Sequence, residues 1–234
     1  MKSIFALILL SFLFIHQSFS QEKALTALQI LNKSIDAIGG EKLLRTVKTR
    51  YTDDETTMKG SKVHWIVKVM LPNKGLFQIV YNDTILYQSG FDGKTGFETR
   101  GDTKVPAEPT KFLDKIYMRN IFELLDFIDP SLWKMKLMGT EKVEDKICYK
   151  IKGTLINGTI EYIFIDKSTF LTIKTENISK KERGRYPIVY CYNYKRFGGI
   201  LYPYDFKAID GKLVQLVHLV KMSVNENITE EDFK

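Results

Sequence analysis

Val63-His64-Trp65-Ile66-Val67-Lys68-Val69 puts Val63, Trp65, Val67 and Val69 on one side of an extended chain and His64 and Lys68 on the other. That two-residue period marks a half-buried β-strand. The period recurs downstream. Phe77, Ile79 and Tyr81 share a face, and Tyr149 and Ile151 oppose Lys150 and Lys152. Ile160, Tyr162 and Phe164 line up, as do Tyr186, Ile188, Tyr190, Tyr192 and Tyr194. Each strand is therefore expected to carry one apolar, aromatic-rich side.

Segments of this kind, separated by Gly, Asn and Asp turns, predict strands over roughly 48–58, 62–71, 75–81, 84–89, 95–99, 133–140, 147–154, 158–165, 170–178, 186–196, 200–208 and 213–224. Asn82-Asp83 and Asn157-Gly158 are hairpin signals, because these residues tolerate the positive φ of tight turns. Two segments follow a different period. Ala24, Leu25, Leu28, Leu31, Ile35 and Ile38 recur at helical spacing until Gly39-Gly40 stops them. Lys111 to Phe127 reads as a second helix, led in by the stiff Val105–Pro109 loop and kept from extending by Pro130. Short antiparallel connections with two helices predict an α+β, mainly β fold. Two helices cannot cover a flat sheet of about 11–12 strands, each spaced ~4.8 Å from the next. The sheet is expected to curl into a strongly curved antiparallel half-barrel with the helices over its open side. Alternation alone leaves open whether the interior is packed or hollow.

Composition sets the outer limits. The chain has 234 residues, 44% of them hydrophobic and 27% charged, with six prolines, enough to bury a core without compositional disorder. Lys2 followed by an apolar run from Ile4 to Ile15 and then Ser18-Phe19-Ser20 reads as a secretory leader cleaved after Ser20. The run is shorter than the ~20 residues that span a bilayer. The expected layout is a leader over residues 1–20 and a single domain over 21–234, acting in an extracytoplasmic space. With Gln21 rather than a cysteine at the expected cleavage point, a lipid anchor there is not expected.

A formal charge of +7 invites a nucleic-acid reading, but the one basic cluster, Lys180 to Arg185, lies between two predicted strands and reads as a hairpin loop. No nucleic-acid partner is expected. His64 and His218 sit mid-strand with no second ligand at metal spacing. Gly90-Phe91-Asp92-Gly93-Lys94-Thr95 ends like a phosphate loop but lacks its first glycine, since Gln88 stands there, and lacks a following helix. Asp53-Asp54-Glu55 and Glu230-Glu231-Asp232 lack calcium-loop spacing and read as exposed charge. No catalytic residue, metal or cofactor is expected. A hydrolase with an unrecognised site would need titratable groups converging in the interior. The five Asn-x-Ser/Thr sequons carry weight only in a eukaryotic secretory pathway.

Cys148 and Cys191 fall three strands apart if strands 147–154 to 186–196 form a meander, a separation of ~14 Å. A disulfide needs Cα atoms within about 7 Å, so both are expected as free thiols.

Several segments, taken in order, resemble one family. They are Ile35-Asp36-Ala37-Ile38-Gly39-Gly40-Glu41-Lys42-Leu43, Phe91-Asp92-Gly93-Lys94-Thr95-Gly96-Phe97, Tyr162 through Leu171, Tyr194 through Pro203, and Val224-Asn225-Glu226-Asn227 with Phe233. Together they are similar to the LolA-like outer-membrane lipoprotein-sorting proteins, particularly divergent Bacteroidetes-type members. The resemblance implies an incomplete barrel of about eleven strands holding an apolar cavity, and a non-catalytic periplasmic carrier of lipid or lipoprotein acyl chains. It further implies a monomer that meets envelope donor and acceptor proteins and touches membranes transiently.

The family transfers no fixed binding motif, so the candidate cavity residues come from alternation. They are Trp65, Val67, Phe77, Ile79, Tyr81, Tyr149, Ile151, Tyr162, Phe164, Tyr190 and Tyr192 from the sheet, with Phe122 and Leu125 from the helix. The alternative is an envelope scaffold protein that uses the same fold with a filled core.

Overall fold

The computed structural model describes residues 24–100, 103–178 and 187–233. The leader, the basic cluster at 180–185 and Tyr186 lie outside them. The chain begins with helices α1 (Ala27–Ile38) and α2 (Glu41–Arg45). Six strands follow: β1 (Thr49–Met58), β2 (Ser61–Met70), β3 (Lys74–Tyr81), β4 (Thr84–Phe91), β5 (Gly96–Arg100) and β6 (Thr103–Pro106). A crossing segment then carries two short 3-10 turns, Pro109–Phe112 and Lys115–Tyr117, and helix α3 (Glu123–Phe127). The second run of strands is β7 (Trp133–Val143), β8 (Lys146–Leu155), β9 (Ile160–Asp166), β10 (Thr172–Asn177), β11 (Ile188–Tyr192), β12 (Lys195–Phe197), β13 (Ile200–Tyr202), β14 (Asp205–Asp210) and β15 (Leu213–Val224).

Thirteen strands form one antiparallel sheet in the order β6-β5-β4-β3-β2-β1-β15-β14-β11-β10-β9-β8-β7, with β12 and β13 as a separate hairpin. The sheet is open, and its free edges are β6 and β7. These two strands are consecutive in the chain, so residues 107–132 must pass from one rim to the other. That passage lies across the concave side. The register shifts at Asp53/Asp54, Ile79/Val80, Leu137/Thr140 and Thr172/Lys174 add local twist that helps the sheet curl.

Helix α1 forms because Thr26 caps it reciprocally with Gln29, and Gly39 ends it with φ 142°. Its buried stripe of Ala27, Ile30, Leu31, Ile35 and Ile38 meets two clusters. Ile30 and Leu31 pack with Phe127, Trp133, Ile151, Ile163 and Ile165 over the β7–β9 half of the sheet. Ile35 and Ile38 pack with Leu44, Leu125, Ile200 and Leu219 near the centre. The C-terminal Asn225 locks the strand ends there. Its Oδ1 accepts from the Lys48 N–H at 2.6 Å, its Nδ2 donates to the Thr46 carbonyl at 3.1 Å, and its N–H donates to the Thr49 carbonyl at 3.0 Å.

Three expectations need correction. The predicted helix over 111–127 is two 3-10 turns and the five-residue α3. A 17-residue helix would extend only about 25 Å, and the rim-to-rim course favours a more extended chain. The buried Asp126 carboxylate accepts from the Arg119 N–H at 3.3 Å and from Asn120 Nδ2 at 2.7 Å, satisfying backbone outside a helix. The predicted strands 186–196 and 200–208 each break in two, at Asn193 with φ 50° and around Pro203.

The third correction concerns faces. Lys150 pairs with Phe164 and Lys152 with Tyr162, whereas Ile151 pairs with Ile163. Directly paired residues share a face, so Tyr162 and Phe164 lie opposite Ile151, on the convex side. Tyr190 pairs with Lys174 and Lys207, and Tyr192 pairs with Asp205, on that same outer side. The outer row reads Lys150, Phe164, Lys174, Tyr190, Lys207 across five strands. Ammonium groups stand 5.3 and 4.8 Å from the Phe164 ring, and 5.2 and 4.2 Å from the Tyr190 ring. The lysine stems roof the aromatics while their heads pair with Glu141, Glu176 and Glu144. Phe164 is thereby fully buried beside Val143, Cys148 and Ile173. Truncation Phe164→Ala is expected to lower stability by about 3–5 kcal/mol in urea unfolding; a loss below about 1 kcal/mol would show this outer cluster to be loosely packed.

Candidate functional site

The β7–β9 half of the trough is filled by α1, Phe127 and Trp133, and hollows remain beyond it. One chamber of about 330 Å³ lies between strands β2–β4, which supply Val67, Phe77, Tyr87 and Ser89, and the crossing segment, which supplies Phe112, Lys115 and Met118. A second chamber of about 280 Å³ is lined by Trp65, Val189, Phe206, Ala208 and Val217 together with Asp54, Glu123, Glu161 and Asn177. A small void of about 30 Å³ lies between them, sharing Asp114, Met118 and Glu123 with the first chamber and Glu123, Glu161 and Asn177 with the second. The larger chamber sits at the low end of ligand-pocket volumes, about 300–1,000 Å³, and the smaller just below it.

The crossing segment is tied on two sides at residues 111–114. Lys111 pairs with the buried Glu98 of β5. Phe112 stacks on Phe91 at 5.7 Å. On the far side Asp114 Oδ1 accepts from Asn157 Nδ2 at 2.7 Å and from Thr159 Oγ1 at 3.0 Å, both in the β8–β9 turn. Gly96 makes the near contact possible, because a Cβ there would stand 2.2 Å from the Phe112 ring.

The candidate residues divide accordingly. Trp65, Val67 and Phe77 line the chambers. Ile79 pairs with Trp65 and Tyr87 and continues that row outward, and Tyr81 ends the strand 38% exposed. Ile151 is fully buried under α1, Tyr149 stacks on Phe170 at 6.1 Å, and Phe122 and Leu125 are buried in the helix-side core. Tyr162, Phe164, Tyr190 and Tyr192 lie on the other side of the sheet.

Sequence reading missed the polar groups. The central strand β1 points Thr52, Asp54 and Thr56 inward, and all three are buried. Asp54 is thus not exposed charge: it is 8% exposed. Thr52 Oγ1 donates to Asp54 Oδ2 at 2.9 Å, and Oδ1 has no hydrogen-bond partner. Desolvation, only partly offset by that hydrogen bond and by Arg50, pushes its pKa from 3.8 to about 6. The alternation of Thr52, Asp54 and Thr56 in phase with the burial of β2 was the available signal. Glu161 is 2% exposed on β9, in phase with Ile163 and Ile165.

Elsewhere the chemistry is quiet. Cys148 and Cys191 are free, on strands three apart, and burial pushes their thiols up to about 11 and about 12, so neither is a nucleophile near neutral pH. His64 and His218 sit on the outer face, each with Nδ1 at 2.6 Å from a carboxylate, Asp53 and Asp205. Among the described residues no group of three or more His, Cys, Asp or Glu is placed to hold a metal, and no helix is long and apolar enough to cross a membrane.

A crystal structure of a LolA superfamily protein from Nitrosomonas europaea superposes with a TM-score of 0.59 over 90% of this chain and 98% of that one, at 15% identity. The fold is LolA-like. A putative outer membrane lipoprotein-sorting protein domain from Vibrio parahaemolyticus gives 0.57 over 88% and 95%, at 13% identity. A DUF1329 family protein from Desulfovibrio piger gives 0.58 over 89% and 97%, at 11% identity. No protein-family model and no curated protein matches the sequence. The LolA-like half-barrel expected from the sequence is therefore the observed architecture, and its open side is covered by α1, α3 and the crossing segment.

Two outcomes follow from this geometry. Gly96→Val drives Phe112 from its seat and is expected to accelerate hydrogen exchange of amides 109–118 while leaving β8 and β9 protected; unchanged exchange would mean that the Phe112 contact does not hold the crossing. For Asp54, below about pH 4 the folded and unfolded chains both carry the proton and the residue contributes nothing. Between about 4 and 6 the folded chain keeps a proton that the unfolded chain has lost, so stability falls as pH rises. Above about 6 the full cost of burying the charge is present, roughly 2–3 kcal/mol at 1.36 kcal/mol per pKa unit. Asp54→Asn is expected to stabilise the protein by about 1–3 kcal/mol at pH 7.5 and by little at pH 4, measured by urea unfolding at both.

Proposed function

We propose that this chain is a non-catalytic carrier that holds a lipid, or the acyl chains of a lipoprotein, in the roofed half of its half-barrel. The observation that carries the reading is the pair of neighbouring, largely apolar chambers between the sheet and the crossing segment. The likeness in fold to a lipoprotein-sorting protein domain supports it. Burial of each methylene contributes about 0.8 kcal/mol, so a modest length of chain suffices for micromolar binding. The chambers also speak against the filled-core scaffold.

On this reading residues 1–20 are the export leader, cleaved after Ser20, and 21–234 act in the periplasm as a monomeric domain that exchanges cargo with envelope partners. Residues 109–118 of the crossing segment are the natural moving part, since they hold to β5 and the β8–β9 turn through a few local contacts, whereas α3 is set in the core.

Native mass spectrometry of protein recovered from contact with membranes is expected to show bound lipid. Val67→Trp fills part of the larger chamber. Displacing two or three methylenes at about 0.8 kcal/mol each lowers affinity for a fluorescent fatty-acid probe roughly tenfold or more. A protein that takes up no lipid, with or without the substitution, overturns the carrier reading.

A further inference from the structure

Gly75 is out of place in its strand unless space is needed there. It lies inside β3, buried, on one concave row with Val69 and Phe91, where a glycine weakens the strand. Its backbone has no positive φ that would call for glycine. At Gly90 and Gly96 a Cβ would collide with a ring, 2.6 Å from Phe97 and 2.2 Å from Phe112, so packing accounts for both. At Gly75 the nearest atoms would be Lys115 Nζ at 3.1 Å, Lys115 Cε at 3.6 Å and Val69 Cγ1 at 3.7 Å. The tightest of these is the far end of a flexible side chain, which can give way. What the missing side chain leaves is room in the floor of the larger chamber, which Gly75 lines together with Val67, Phe77 and the small Ser89 of the next row.

That room is small and has a polar boundary. A methylene fills about as much space as a water molecule in the liquid, about 30 Å³, so a chamber of about 330 Å³ holds on the order of ten of them. Toward the smaller chamber the lining turns to Asp114 and Glu123, and the void beyond adds Asp126, Glu161 and Asn177. A hydrocarbon pushed past Met118 would displace water from these groups and offer no hydrogen bond in return. The smaller chamber, with Asp54, Glu123 and Glu161 on its wall, is the poorer place for a second tail. We propose that the larger chamber is a slot for one hydrocarbon tail of about ten to twelve carbons, its depth set by Gly75 and Ser89 in the floor, and that the cargo is a single-chain amphiphile. The assignment rests on the carrier reading and narrows its cargo.

The test is a chain-length series: saturated fatty acids of about six to eighteen carbons, each below its critical micelle concentration, competing for a fluorescent fatty-acid probe on the delipidated full chain. Affinity is expected to rise about fourfold per added carbon and to level off near ten to twelve. Decanoyl-lysophosphatidylcholine and didecanoyl-phosphatidylcholine share a head group and a tail length, and the second tail is expected to add less than about tenfold, where full burial would add several orders of magnitude. Gly75→Leu is expected to keep the melting temperature within a few degrees and to move the levelling point about three or four carbons shorter, and Gly75→Ala about one. A steady rise through the longest acid, or a second tail worth a hundredfold or more, overturns the single-tail slot and leaves the carrier reading standing. A levelling point unmoved in a folded Gly75→Leu protein overturns the role of Gly75. If no tailed ligand binds, both readings fail. The unsubstituted chain and Gly75→Ala decide these outcomes even if Gly75→Leu folds poorly.

Discussion

The pairing of β1 with β15 at the centre of the sheet constrains everything else. Because the first and last long strands meet in the middle, the strands laid down midway through the chain, β6 and β7, fall on opposite rims. The segment joining them has to cross the mouth of the curve. A roof over the trough is thus a consequence of strand order, and the local sequence only decides how tightly it is tied down: Lys111 to Glu98 on one side, Asp114 to Asn157 and Thr159 on the other. Helix α1 fills what the crossing leaves uncovered over β7–β9. The hollow remains beneath the crossing segment, where α1 does not reach.

The same seam brings polar groups into the trough. Thr52, Asp54 and Thr56 stand in a column between Trp65 and Val67 on β2 and Val217, Leu219 and Met222 on β15. Gln215 donates to the Thr57 carbonyl at 2.7 Å, so the lower end of the column is satisfied. Asp54, at the register shift, is not. A wholly apolar trough would be more stable; an ionisable group at its centre is the sort of local inconsistency that marks function. On the convex side the opposite device operates, with aromatic rings covered by lysine stems whose charges stay in contact with water and carboxylates.

Much of the architecture was legible because period-two alternation, turn chemistry and helix stops each rest on local physics. Asn82 and Asp83 adopt φ of 46° and 60°, Gly39 ends α1, and the meander separates the two cysteines. Faces were harder to read. Strand β9 is apolar on both sides, Tyr162 and Phe164 against Ile163 and Ile165, so alternation cannot say which side meets the helices. Only the register against Lys150 and Ile151 on β8 decides it. Tertiary position likewise overrode composition at Asp53-Asp54-Glu55, where three adjacent acids read as solvated although the middle one points into the trough. At 111–127 the apolar spacing was compatible with a helix, and the span to be covered outweighed it.

The clasp at Asn225 has a further meaning for the order of events during synthesis. Its bonds to Lys48 and Thr46 join residues 177 and 179 positions apart, so they form only once the chain through residue 225 is present. Until then β1 has an unpaired edge, and an exposed strand edge is a template for mispairing between chains. Dominance of such distant contacts predicts slow closure, and a nascent chain of this design depends on being kept apart from its copies until its last strand arrives.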